Sequence, residues 1–116
     1  MNNDIEISKR EIVTICGSSR FEKEIIESHL KLSKQGYTVL SLLYFDKTKT
    51  DERNKQFDKL LKDELVESHF HKILLSDFIF VVNVDDYIGE HTRNEINFAD
   101  KNNIFIKYYT IEKVYW

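Results

Sequence analysis

Residues 77–84 read DFIFVVNV, apolar at nearly every position and rich in β-branched and aromatic side chains. A strand of this kind has no wet face, so it must be covered on both sides. That requirement excludes a half-exposed antiparallel meander and asks for helices above and below. The flanking sequence supplies them. Residues 55–75 carry Phe57, Leu60, Leu61, Leu65, His69 and Ile73 near one helical face, and EHTRNEINFADKNN (90–103) has the composition of a short helix.

The same alternation runs through the chain. EIVTIC (11–16) reads as a buried strand and Phe21–Gln35 as a helix, with Glu22 and Glu24 in the first turn where the helix dipole favours acids. Ser18 or Ser19 is placed to cap that helix, and Gly36 to end it in the left-handed conformation. YTVLSLLYF (37–45) reads as a strand, DKTKTDERN (46–54) as a polar loop, IFIKYY (104–109) as a last strand and IEKVYW (111–116) as a short tail. Strands alternating with helices predict a small α/β, Rossmann-like domain, a parallel sheet with helices on both faces, spanning residues 1–116.

Charge narrows the partners. The net charge is −3 with both signs interleaved, so neither a nucleic acid duplex nor an anionic membrane is an expected partner. The lone Cys16 excludes an internal disulfide and a zinc cluster of the usual kind, and suits a reducing compartment. Together with an N-terminal segment lacking an apolar core, this points to the cytoplasm. No cofactor or metal is expected: His69 and His71, two apart on a helix, point in different directions and make a poor metal pair.

Ligands of open α/β sheets sit beyond the carboxyl ends of the strands. Three segments are expected there: CGSSRF (16–21), the stretch 43–54, and NVDDYIGEHTRNE (83–95). Gly17 lets a backbone approach a ligand, and the amides of Ser18, Ser19 and Arg20 open a helix N-terminus that attracts anions. A plain strand-to-helix turn with a capping serine has the same appearance, and the spacing matches neither GxGxxG nor a Walker loop. Glu95 lies beside Ile96 and Ala99, which suggest a partly buried helix face; it reads as a solvated helix residue or as a carboxylate nucleophile held near the core. Asp85, Asp86, Glu90 and Asp77 are further carboxylates expected on that rim, although Asp77 also reads as a turn or cap opening its strand. Tyr44, Phe45 and Tyr87 are candidate stacking surfaces.

The order ICGSSRF, GYTVL, HFHKILLSDFIFVVN, YIGEHTRNEINFA resembles the nucleoside 2-deoxyribosyltransferase-like superfamily, in particular its short phage- or plasmid-borne branch. The similarity runs from Glu11 to Tyr109. It implies cleavage or transfer at the N-glycosidic bond of a 2′-deoxynucleoside or its 5′-monophosphate, with Glu95 as the nucleophile and no cofactor. It implies that Gly17, Ser18, Ser19 and Arg20 line the pocket, joined by Asp77, Gly89, Glu90 and Thr92. His69 stands where the classical enzymes often carry an acid for the nucleobase, and His91 precedes Thr92 where a small hydroxyl residue is common. The resemblance further implies a homodimer or larger assembly. A non-catalytic nucleotide binder, a sensor or sequestering protein of the same fold, is the alternative.

Overall fold

The computed structural model describes residues 9–42 and 55–116. Four strands, β1 (Ile12–Gly17), β2 (Thr38–Leu40), β3 (Phe78–Val82) and β4 (Phe105–Tyr108), form one sheet in the order β2-β1-β3-β4. All three pairings are parallel, with Ile12 beside Thr38, Val13 beside Phe78 and Phe78 beside Phe105. The helices are α1 (Glu22–Lys34), α2 (Lys55–Leu75), α3 (Glu90–Lys101) and the short α4 (Tyr109–Glu112). The chain is a small α/β, Rossmann-like domain, as its alternating pattern predicts.

Every residue of β3 is buried, so the continuous apolar run does lie inside, between two helix layers. Alternation along the strands sends Val13, Ile15, Phe78, Phe80 and Val82 to one face, where they pack with Ile25 and Leu32 of α1 and with Tyr109. Cys16, Ile79 and Val81 face the other way and pack with Ile73 of α2 and Ala99 of α3. The helix faces follow the usual spacing. Ile25, Ser28 and Leu32 are the buried stripe of α1, and Thr92, Glu95 and Ala99 that of α3.

Helix α1 ends as its sequence predicts, with Gly36 at φ +98° and Tyr37 N–H donating back to the Leu32 carbonyl. Its start differs. Ser18 Oγ accepts a 3.4 Å hydrogen bond from Arg20 N–H within a single 3-10 turn (Ser19–Phe21), and α1 itself opens at Phe21 without a side-chain cap. Strand β2 is shorter than the 37–45 run suggests, ending at Leu40; Tyr44 and Phe45 lie outside the described residues. The C-terminal segment is not a loose tail. It folds through α4 into a 3-10 turn (Lys113–Tyr115), and Trp116 stacks on Phe80 with ring centroids 5.9 Å apart.

Asp77 is a correction. It lies at the amino end of β3, the opposite end of the strand from the rim where substrate contacts were expected. Its Oδ2 accepts a 2.7 Å hydrogen bond from Ile12 N–H, and its own N–H donates to the Ile12 carbonyl at 2.8 Å. The pair closes the first rung between β1 and the α2–β3 junction, so Asp77 is a structural residue. Beside it, Ser76 Oγ lies 2.6 Å from Thr14 Oγ1, and both hydroxyls reach the Lys72 carbonyl at the end of α2. Asp77→Ala is expected to cost about 1 kcal/mol, the usual net worth of one hydrogen bond, read as a lower urea midpoint at unchanged slope. An unchanged midpoint with loss of ligand binding would return Asp77 to the site.

Candidate functional site

The chain leaves β1 toward β2 on one side and reaches β3 on the other, so the strand order reverses between β1 and β3. Loops leaving those two carboxyl ends part from one another and open a crevice, the place where ligands sit in such sheets. Gly17 and Val82 are register partners at that point. A Cβ on Gly17 would lie 3.2 Å from Val82 Cβ, 3.3 Å from the Val82 carbonyl oxygen and 3.5 Å from Ile25 Cδ1. The glycine is therefore required by the close approach of β3 and α1, and the space it leaves faces that packing rather than a ligand. Above it, the Arg20 guanidinium sits 3.9 Å over the Tyr87 ring, and Phe21 meets the same ring edge-on at 5.8 Å. Arg20 thus ties the loop after β1 to the loop after β3, covering one face of Tyr87.

The polar cluster lies under this edge on the α2 and α3 side. Cys16 ends the inward alternation of β1 on that face; His69 stands one turn before the buried Ile73 of α2; Glu95 stands one turn before the buried Ala99 of α3. All three are buried, with 1%, 3% and 8% of their surface exposed. His69 Nε2 is 3.2 Å from Glu95 Oε2 and 3.7 Å from Cys16 Sγ. The close approach to Glu95 is not an aligned hydrogen bond: Glu95 Oε2, like His69 Nδ1, has no hydrogen-bond partner among the described residues. A buried polar atom in that condition carries a desolvation cost that a ligand can relieve.

Two chemical readings separate on geometry. A relay from a cysteine nucleophile through histidine to a carboxylate needs the two partners on opposite ring nitrogens. Here both lie against Nε2. Burial also pushes the Cys16 thiol well above its ordinary value, and the Glu95 carboxylate beside it pushes the same way. Cys16 is accordingly a poor nucleophile. Glu95 is the better one, with an oxygen free of hydrogen bonds and a side chain reaching from a helix toward the switch point.

The remaining expected contacts are spread around this centre. Thr92 is buried one turn before Glu95; Gly89 stands at the N-cap of α3, where a Cβ would lie 3.6 Å from the Tyr87 ring; Glu90, Ser19, Arg20, Asp85 and Asp86 are exposed. Among the described residues, no hydrogen bond or ion pair joins Ser18, Ser19 or Arg20 to Glu95. A groove of about 360 Å³ lies nearby between α1 and the exit of β2, lined by Glu22, Ile25, Ile26, His29, Leu30, Ser41 and Leu42. None of its lining residues is a buried charged group. Sequence reasoning passed over Cys16 as a site residue, although its strand alternation, opposite in sense to Ile15, already aimed it at α2 and α3. It also passed over Asn83, which is buried just past β3 and whose Oδ1 accepts from Thr110 N–H at 3.2 Å, anchoring the C-terminal segment.

No family model matches this chain, and no curated protein matches it in sequence. No helix among the described residues is long and apolar enough to cross a membrane.

The raised Cys16 thiol has a consequence for stability. A thiol raised in the folded state ionises first in the unfolded chain, so its contribution is intact below the ordinary value of 9.0 and is lost as pH climbs above it. Stability should fall as pH climbs past about 9, the value in the unfolded chain, toward the raised value of the folded thiol. Cys16→Ala should flatten that fall in urea melts across the range; identical slopes in the two proteins would contradict the assignment.

Proposed function

We propose that this chain cleaves or transfers at the N-glycosidic bond of 2′-deoxynucleosides or their 5′-monophosphates, with Glu95 as nucleophile. The observation that carries this reading is the Glu95 carboxylate, buried beneath the β1/β3 switch point with an oxygen that lacks a hydrogen-bond partner among the described residues. Its support from sequence is the likeness of ICGSSRF, HFHKILLSDFIFVVN and YIGEHTRNEINFA to the nucleoside 2-deoxyribosyltransferase-like superfamily. Departure of the base builds positive charge at the anomeric carbon, which an adjacent carboxylate stabilises and then captures. The base leaves with the bonding electron pair and takes up a proton. Water, or a second base, then attacks the anomeric carbon and releases Glu95.

His69 has two uses in this scheme. At 3.2 Å from Glu95 it walls one side of the carboxylate, and in its protonated form it can hand a proton to the departing base. Ser18, Ser19, Thr92 and the start of α3 at Gly89 and Glu90 would contact sugar or phosphate at the carboxyl edge. The strong burial of Glu95 favours a second reading, a nucleotide binder that does not turn its ligand over. Self-association belongs to the same proposal: Phe105, Val114 and Tyr115 are 78%, 74% and 82% exposed and offer apolar surface for a second copy. Light scattering at high micromolar concentration should then give at least a dimer mass, and a monomer mass would remove that part.

The chemical test is base release, followed by chromatography, from the four deoxynucleosides and their monophosphates in buffer containing EDTA. Glu95→Gln should lower it on the order of 10³-fold or more while calorimetric binding survives, because the amide keeps the shape and loses the attacking charge. Wild type that binds without turnover would establish the binder reading. Equal turnover with Gln at position 95 would mean that another carboxylate attacks.

A further inference from the structure

We infer that Cys16, His69 and Glu95 form a binding site for a zinc-class divalent cation, and that occupancy of this site withholds Glu95 from any reaction. The donor atoms come from β1, α2 and α3, and all lie within 4.8 Å of one another. Sulfur, imidazole nitrogen and carboxylate oxygen together form a borderline-soft set that suits zinc or cobalt and not magnesium or calcium.

The geometry supports ligation in three ways. First, Cys16 Sγ and Glu95 Oε2 both lie against the same ring nitrogen of His69, so the three donor atoms form one compact triangle. Second, tetrahedral zinc with ordinary bond lengths puts ligand sulfur and nitrogen about 3.6 Å apart, and nitrogen and oxygen about 3.4 Å apart. The observed separations are 3.7 and 3.2 Å. The remaining separation, between Cys16 Sγ and Glu95, lies within 4.8 Å. Third, Glu95 Oε2 is buried and lacks a hydrogen-bond partner, so a cation would satisfy a group that the protein leaves unsatisfied. Three protein ligands leave a fourth position open, and the Glu95 side chain, 11% exposed against 4% for His69, marks the side from which a cation enters.

Coordination displaces the Cys16 proton to solvent and ties the Glu95 oxygen to the cation. In that state Glu95 cannot attack an anomeric carbon. The inference goes beyond the proposed glycosidic chemistry, and metal binding stands or falls without it.

The test uses the full chain, stripped with EDTA and then freed of it, titrated with Co²⁺ alone and watched by absorption. Wild type should take up one equivalent with a thiolate-to-cobalt charge-transfer band and the visible bands of tetrahedral cobalt, and Zn²⁺ should bleach both. Cys16→Ser and Cys16→Ala, each checked for folding by circular dichroism, should lose the charge-transfer band. Either should also weaken Zn²⁺ binding by at least about tenfold, since even groups outside the ligand shell are worth about 10–100-fold. His71→Asn, on an exposed histidine two residues after His69, should bind as wild type does. A wild type without the thiolate band, cysteine variants that bind equally tightly, or loss of binding on His71→Asn would each overturn the inference. Base release measured in EDTA reports on Glu95 as nucleophile separately, so failure of one claim is distinguishable from failure of the other.

Discussion

The parallel pairing of β1 with β3 is the constraint on which the rest of the molecule depends. Five successive rungs, from Val13 against Phe78 to Gly17 against Val82, join the two central strands. Each is anchored at its amino end by the Ile12–Asp77 pair and squeezed at its carboxyl end by the missing Cβ of Gly17. With both strands buried on both faces, a shift of one residue would exchange the two hydrophobic faces and turn Cys16 away from α2 and α3. The register therefore decides where the polar cluster can exist at all.

From that register the site follows by helix geometry. Helix α2 is stitched to β1 by Thr14, Ser76 and the Lys72 carbonyl, which sets the height of His69 one turn earlier along its buried stripe. Helix α3 is set by Ala99 against the same sheet face, and Glu95 rides one turn nearer the carboxyl edge. A histidine and a glutamate are thus inserted into positions where periodicity alone would put aliphatic side chains. Burying them costs stability unless they are paired or bound. They meet at 3.2 Å through Glu95 Oε2, an atom without a hydrogen-bond partner among the described residues, so the pair costs the fold more than aliphatic packing would.

Attack by Glu95 and coordination of a cation make opposite demands on the same oxygen. The first needs it free at the moment a sugar arrives; the second holds it against Cys16 and His69. Such opposition is what a reversible stopper looks like in structural terms, with substrate and metal competing for one group. Arg20 and Tyr87 form the bridge above, joining the two loops of the crevice, and among the described residues neither makes a hydrogen bond or ion pair to the cluster.

Much of this was legible in the sequence, and the limits have a physical reason. The apolar run at 78–82 required two helix layers, the alternation of patterns required a parallel sheet, and Ile96 and Ala99 beside Glu95 revealed a carboxylate near a buried face. These are local signals, since period and burial are properties of neighbouring residues. Asp77 carried two readings, a cap opening its strand and a substrate contact, because a carboxylate at a strand start looks the same whether it faces a ligand or a backbone amide 65 residues away; the structure shows the first. Gly17 was read as room for a ligand because a sequence shows that a side chain is missing but not what fills the space. Only the tertiary structure could bring Cys16, His69 and Glu95, on three elements far apart in the chain, to one point, since the direction of a side chain becomes a position only when strand register and helix docking are both set.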